Sequence, residues 1–179
     1  SWGGAPAAYP EFAARTAANG VPAASRNATP KDVSPQVAAI RPEIEAYRVQ
    51  GNVYMLVGAG ANVAVQIGEE GVLVVDTGAA ASRDQLLAAI RKLSTKPIRW
   101  IVNTSPDPDH TGGNATISAA GKTVNGNSAP IIANENVLAQ MTKARRAENE
   151  RPLNTFYDES RDFYFNGEAV YIYHYPGGH

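Results

Sequence analysis

The chain has 179 residues, 44% of them hydrophobic, with 16 Lys and Arg against 17 Asp and Glu. That near-neutral balance excludes the basic excess of nucleic-acid and membrane-surface proteins, while the apolar content suffices for a real core in a domain of this length. Cysteine is absent and histidine occurs three times, so disulfides, thiolate metal sites and a cysteine nucleophile are excluded, and catalysis must rest on oxygen and imidazole chemistry.

Residues 1–43 are rich in Ala and Pro, and prolines at 6, 10, 22, 30 and 35 break any helical period. The stretch reads as an N-terminal extension with at most short helical turns. The chain begins with Ser1 rather than Met, so an upstream portion is expected to be missing or removed. No leader pattern is visible, and an Ala/Pro-rich start fits an exported, periplasmic bacterial protein after processing. No apolar run approaches the ~20 residues of a membrane-spanning helix.

From Ile44 onward the pattern turns to strands. Residues 44–49 and 53–57 are β-prone runs flanking Gln50-Gly51-Asn52, a hairpin signal. Residues 62–67 alternate, and Gly71 to Val75 is continuously apolar, as in a strand buried on both faces. After Asp76-Thr77-Gly78 the period becomes helical at Leu86, Leu87, Ile90 and Leu93, with Ser82 at the N-cap position. Residues 98–102 form a further strand, and a polar, Pro-rich loop over 103–110 leads to Thr111-Gly112-Gly113-Asn114 and a short helix. Residues 130–133 read as a strand, and 136–147 as a helix with Val137, Leu138 and Met141 inward. Residues 161–166 and 168–174 pair across Asn166-Gly167, a strong hairpin signal. Strands first, then strand–helix units, make a layered α/β (α+β) domain over residues 44–179.

The chemistry concentrates in Ser105-Pro106-Asp107-Pro108-Asp109-His110, directly after a buried strand. Loops at strand ends are where α/β proteins place ligand groups. Asp107, Asp109 and His110 supply oxygen and imidazole donors on a backbone stiffened by proline, a set suited to Zn²⁺, Fe²⁺ or Mn²⁺. The same composition suits a plain surface turn. A calcium loop of EF-hand type fails, because His110 and Thr116 stand where it needs Gly and Glu. The sequons at Asn103 and Asn114 fall inside this region and are discounted. His174 reads as a packed or half-exposed strand residue, and Tyr164, Phe165, Tyr171, Tyr173 and Tyr175 as core and edge packing.

Four segments carry a resemblance: Val72 to Gly78, Ile101 to Thr104, Asp109 to Asn114, and Tyr175-Pro176-Gly177-Gly178-His179. In order and spacing they resemble the metallo-β-lactamase fold hydrolases, over the chain from about residue 44 to its end. The resemblance implies one half of an αββα sandwich with a mostly antiparallel mixed sheet, and a metal site at the sheet edge.

The family motif His-x-His-x-Asp-His is altered here, with Ser105 at its first and Asp107 at its second histidine position. Asp109 and His110 match its closing pair, and His179 the distant histidine. The resemblance implies a first metal position keeping His179, able to use Asp107 and degenerate at Ser105. It implies a second position held by Asp109 and His110, whose other ligands would lie beyond residue 179. Asp76 matches a strand-end aspartate that orients the ligand loop through hydrogen bonds. The implied cofactor is zinc, one or two divalent ions, with Fe or Mn as alternatives. The implied reaction is metal-assisted hydrolysis of an ester, thioester or lactam carbonyl of a small-molecule substrate, with Asp109 holding or orienting water. The competing reading is a non-catalytic relative that keeps the sandwich as a binding or structural module. The chain is expected to be a fragment, inactive alone, whose second sheet face, with Val74, Ile101 and Ile132, is covered by another half, by self-association or by the extension.

Overall fold

The computed structural model of the chain describes residues 43–123 and 125–176. The extension read over residues 1–43 falls outside them but for its last residue, and His179 lies outside them too. The elements are β1 (Glu45–Gln50), β2 (Val53–Ala59), β3 (Ala61–Gly68), β4 (Gly71–Val75), α1 (Arg83–Leu93), β5 (Ile98–Val102), α2 (Pro108–Thr111), α3 (Asn114–Ala119), β6 (Ile131–Asn134), α4 (Glu135–Lys143), β7 (Asn154–Phe156), β8 (Ser160–Phe165) and β9 (Glu168–Tyr173).

Strands β1 to β7 form one mixed sheet in sequence order, and β8 and β9 form a separate hairpin. The first three pairings are antiparallel, through tight turns. From β4 onward they are parallel, because helical crossovers connect the strands. One consequence positions the site. Strands β4, β5 and β6 all end on the same sheet edge, where α/β folds gather ligand groups.

Leu86 and Ile90 of α1 and Ile117 of α3 pack on one face with Val63, Val65, Val72, Val74 and Ile101. Leu73, Val102, Ile132 and Phe156 point to the other face. That face is closed by the β8–β9 hairpin, whose Phe163, Phe165, Val170 and Ile172 pack on it. The rings of Trp100 and Phe163 lie 5.3 Å apart. The expected lining of the second face is corrected in part: Val74 and Ile101 face the helices, whereas Ile132 does lie on that face, under the hairpin, and all three are fully buried. Strand alternation explains a second correction. With Phe163, Phe165, Val170 and Ile172 inward, Tyr164, Tyr171, Tyr173 and Tyr175 stand in solvent, 57–78% exposed.

Three local details also depart from expectation. Ser82 occupies the N-cap of α1 but makes no side-chain cap, because a 3₁₀ turn over Ala80–Ser82 feeds the helix instead. Helix α4 stops at Lys143 rather than 147, since Arg145 adopts φ 57°, outside the helical region. Strand β7 was not foreseen. At the hairpin tip, Asn166 (φ 55°) and Gly167 (φ 79°) both take the positive φ that a tight two-residue turn demands.

Candidate functional site

The parallel pairing of β4 with β5 sets the ends of the two strands side by side, Asp76 following one and Asn103-Thr104 the other. Asp76 is buried and takes φ 63°, a conformation that costs an L-residue about 1–2 kcal/mol. Its contacts hold it there. Its N–H donates to the Val102 carbonyl at 2.8 Å. Its carboxylate accepts from Thr104 N at 2.8 Å and from Thr104 Oγ1 at 2.6 Å. The same carboxylate lies 2.8 Å from His110 Nδ1. A carboxylate facing a ring nitrogen at that distance places the proton on Nδ1, so the lone pair of the neutral ring is left on Nε2. Asp109 Oδ2 stands 3.9 Å from that Nε2.

Burial pulls the His110 imidazole toward a lower pKa. The hydrogen bond and charge of Asp76, and then the charges of Asp109 and Asp107, outweigh it and hold the ring above its ordinary value.

The loop between is closed on itself. Ser105 Oγ donates to Asp107 Oδ2 at 2.7 Å and accepts from Asp107 N at 3.1 Å. Asp107 is the N-cap residue of α2, with Pro108 following it. Its carbonyl accepts from His110 N and Thr111 N, both at 3.0 Å. Below the loop, Asn103 and Asn114 exchange amide hydrogen bonds of 3.1 and 2.8 Å, and Thr77 Oγ1 donates to Asn114 Oδ1 at 2.8 Å. Gly113 is required by this packing, because a Cβ there would run into the Thr77 carbonyl oxygen.

The structure thus gathers Asp76, Asp109 and His110 at one locus and turns Asp107 to Ser105. Among the described residues, no group of three His, Asp or Glu side chains is placed to hold a metal. The donor chemistry fits a divalent ion at one position, where an oriented imidazole and a neighbouring carboxylate meet. It does not fit at the other, where Ser105 offers a neutral hydroxyl already bonded to Asp107. Thr77, Thr104, Asn103 and Asn114 were not singled out as supports. For Thr77, Asn103 and Thr104 the signal was available, as uncharged polar residues just past the ends of apolar strands, whereas Asn114 opens α3.

A cavity of about 310 Å³ adjoins the loop, lined by Thr104, Ser105, Asp107, Asn136, Gln140 and His174 among others. Its size suits a small ligand. His174 lines it half-buried, with Nε2 3.5 Å from Asn136 Nδ2.

A family model described as the metallo-beta-lactamase superfamily matches residues 47–179. No curated protein matches the chain significantly. Among solved structures, a Cronobacter sakazakii metallo-beta-lactamase with a HARLDQ motif matches with a TM-score of 0.59 at 19% identity, over 75% of this chain and 54% of that one. BJP-1, a subclass B3 metallo-beta-lactamase of Bradyrhizobium japonicum, matches with a TM-score of 0.57 at 22% identity, over 70% of this chain and 49% of that one. The chain spans about half the length of these structures, and the likeness is one of fold.

Proposed function

The chain belongs to the metallo-beta-lactamase superfamily, and from that membership we infer a metal-dependent hydrolase acting on an ester, thioester or lactam carbonyl. The observation that carries this reading is the Asp76–His110 contact of 2.8 Å, which leaves Nε2 as the ring's donor beside the Asp109 carboxylate. A divalent ion, zinc or else iron or manganese, would supply Lewis-acid activation of water and of the substrate carbonyl. His110 would hold it through Nε2, with Asp109 as the adjoining oxygen donor. Asp76 keeps the proton on Nδ1 throughout. Asp109 Oδ2 would also be placed to accept a hydrogen bond from water and so orient it. The family resemblance alone nominates Asp107 and His179 for the altered first position, and the Ser105–Asp107 hydrogen bond weighs against Asp107 there. The HARLDQ motif in the name of one similar structure likewise departs from His-x-His-x-Asp-His at two positions and keeps the Asp before its last residue.

A second reading, a scaffold without catalysis, is favoured by the Ser105–Asp107 hydrogen bond, which ties up the carboxylate nearest the lost ligand. One experiment separates them. Zinc content and turnover of chromogenic ester and lactam substrates are measured for the full-length parent protein and its Asp109→Ala and His110→Ala variants. The hydrolase reading expects both quantities to fall together in each variant. Turnover that persists in metal-free protein sinks the mechanism, and no zinc uptake by the parent leaves the scaffold reading.

A further inference from the structure

We propose that a groove on the opposite edge of the sheet, between Arg91, Arg99 and Lys122, binds a small ligand bearing two or more phosphate groups. The groove has a volume of about 760 Å³, and Pro97, Gly121 and Thr123 are among the residues that line it with these three cations. It lies at the start of β5, whereas the candidate metal site lies beyond the end of that strand. The two sites share no residue.

Both guanidinium forks are fixed before any ligand arrives. Arg91 donates through Nη1 to the Lys96 carbonyl at 2.9 Å and through Nη2 to the Ala120 carbonyl at 2.8 Å. Arg99 donates through Nε to the Glu70 carbonyl at 3.1 Å and through Nη1 to the Lys122 carbonyl at 3.0 Å. These acceptors are neutral, so they orient the charges without cancelling them. A guanidinium carries five N–H groups, and each arginine therefore keeps donors beyond the two it uses here.

The neighbouring carboxylates are engaged elsewhere. Glu69 pairs with Lys96 at 2.8 Å, and the Glu70 carboxylate accepts from Asn166 N. Among the described residues, no carboxylate forms an ion pair with Arg91, Arg99 or Lys122. Local positive charge thus collects on a chain whose formal net charge is −1. Planar forks match phosphate oxygens in pairs, and forks held in place lose little freedom on binding. Three cations around one groove exceed what a single phosphate can pair with, and this points to a ligand with more than one.

The test is calorimetric titration of metal-free protein with tripolyphosphate, at low and at moderate salt. Saturable binding at one site is expected. Arg91→Lys with Arg99→Lys keeps the charge but loses the forks, and should weaken binding about tenfold or more. Lys122→Gln removes an exposed charge with no side-chain hydrogen bond among the described residues, so it decides the matter even where the arginine pair disturbs folding; a loss of severalfold is expected. Lys143→Gln with Arg145→Gln removes two positive charges elsewhere, one more than Lys122→Gln, and should still change affinity by less than about twofold. The proposal is overturned by binding that does not saturate, by equal loss in the control pair, or by full affinity in Lys122→Gln. Tighter capture of a single-stranded oligonucleotide than of tripolyphosphate overturns it as well. His110→Ala should leave the titration unchanged, which separates this site from the metal reading.

Discussion

Asp76 Oδ2 and His110 Nδ1 stand 2.8 Å apart although 34 residues separate them in sequence. This contact selects the tautomer of the ring, and the parallel β4–β5 pairing makes it possible by bringing the two loops to one edge.

Asp76→Asn should therefore spoil the imidazole as a metal donor without removing it. The amide NH₂ would turn toward Nδ1, which must then accept, and the ring proton would move to Nε2. Zinc affinity should fall about 10–100-fold, as losses of such supporting partners do. Competition against a chromophoric chelator measures it, and unchanged affinity would count against the assigned role.

The pH dependence of metal-free protein follows from the raised pKa of His110. The folded state binds this proton more tightly than the unfolded state, whose histidine titrates near about 6.5. The stabilisation is complete below that value and is lost as pH rises through the higher folded pKa. NMR titration should place the His110 midpoint above that of an ordinary histidine and lower it in Asp76→Asn. A midpoint at or below the ordinary value would contradict the geometry. Metal uptake should weaken on acidification, because a proton and the ion compete for Nε2.

Gly113→Ala should destabilise the fold by roughly 1–3 kcal/mol, since the added Cβ meets the Thr77 carbonyl oxygen, part of the backbone. Denaturant titration reads this directly. A stability within error of the parent would mean that the loop has room it does not display.

Phe163→Ala should loosen the hairpin from the sheet. It removes the ring that sits 5.3 Å from Trp100 and packs on the second core layer, at a cost of roughly 2 kcal/mol. Tryptophan fluorescence should shift, and proteolysis within residues 160–173 should begin before global unfolding. Coincident loss of both would show that the hairpin and sheet unfold as one unit.

Most of the sheet was legible because its strands carry the period themselves. The apolar run Gly71 to Val75 and the Asn166-Gly167 turn each required only local sequence. Strand β7 was not legible, since three residues are too few to show a period and the strand exists only by pairing with β6. Alternation in β8 and β9 was visible, but which face would be wet depends on the sheet beneath. In the site, spacing pointed to Asp109 and His110, whereas Asp76 entered through family resemblance. No local pattern says that Asn103 and Asn114 meet, because a loop and two glycines bring them together.

Folding alone accounts for much of what surrounds the loop. Asp76 satisfies Thr104, Asn114 satisfies Thr77 and Asn103, and Gly113 fits beneath the Thr77 carbonyl, whether or not a metal is ever bound. A variant library scored only for soluble, folded protein should therefore tolerate little change at these positions, and that intolerance would carry no information about catalysis. Asp109 differs. Its side chain is 55% exposed, and its one side-chain partner among the described residues is His110, at 3.9 Å. No side-chain hydrogen bond among the described residues depends on it, so under the proposed function selection on this carboxylate should act through turnover. In the same library scored for turnover instead, Asp109 is where the two scores should part.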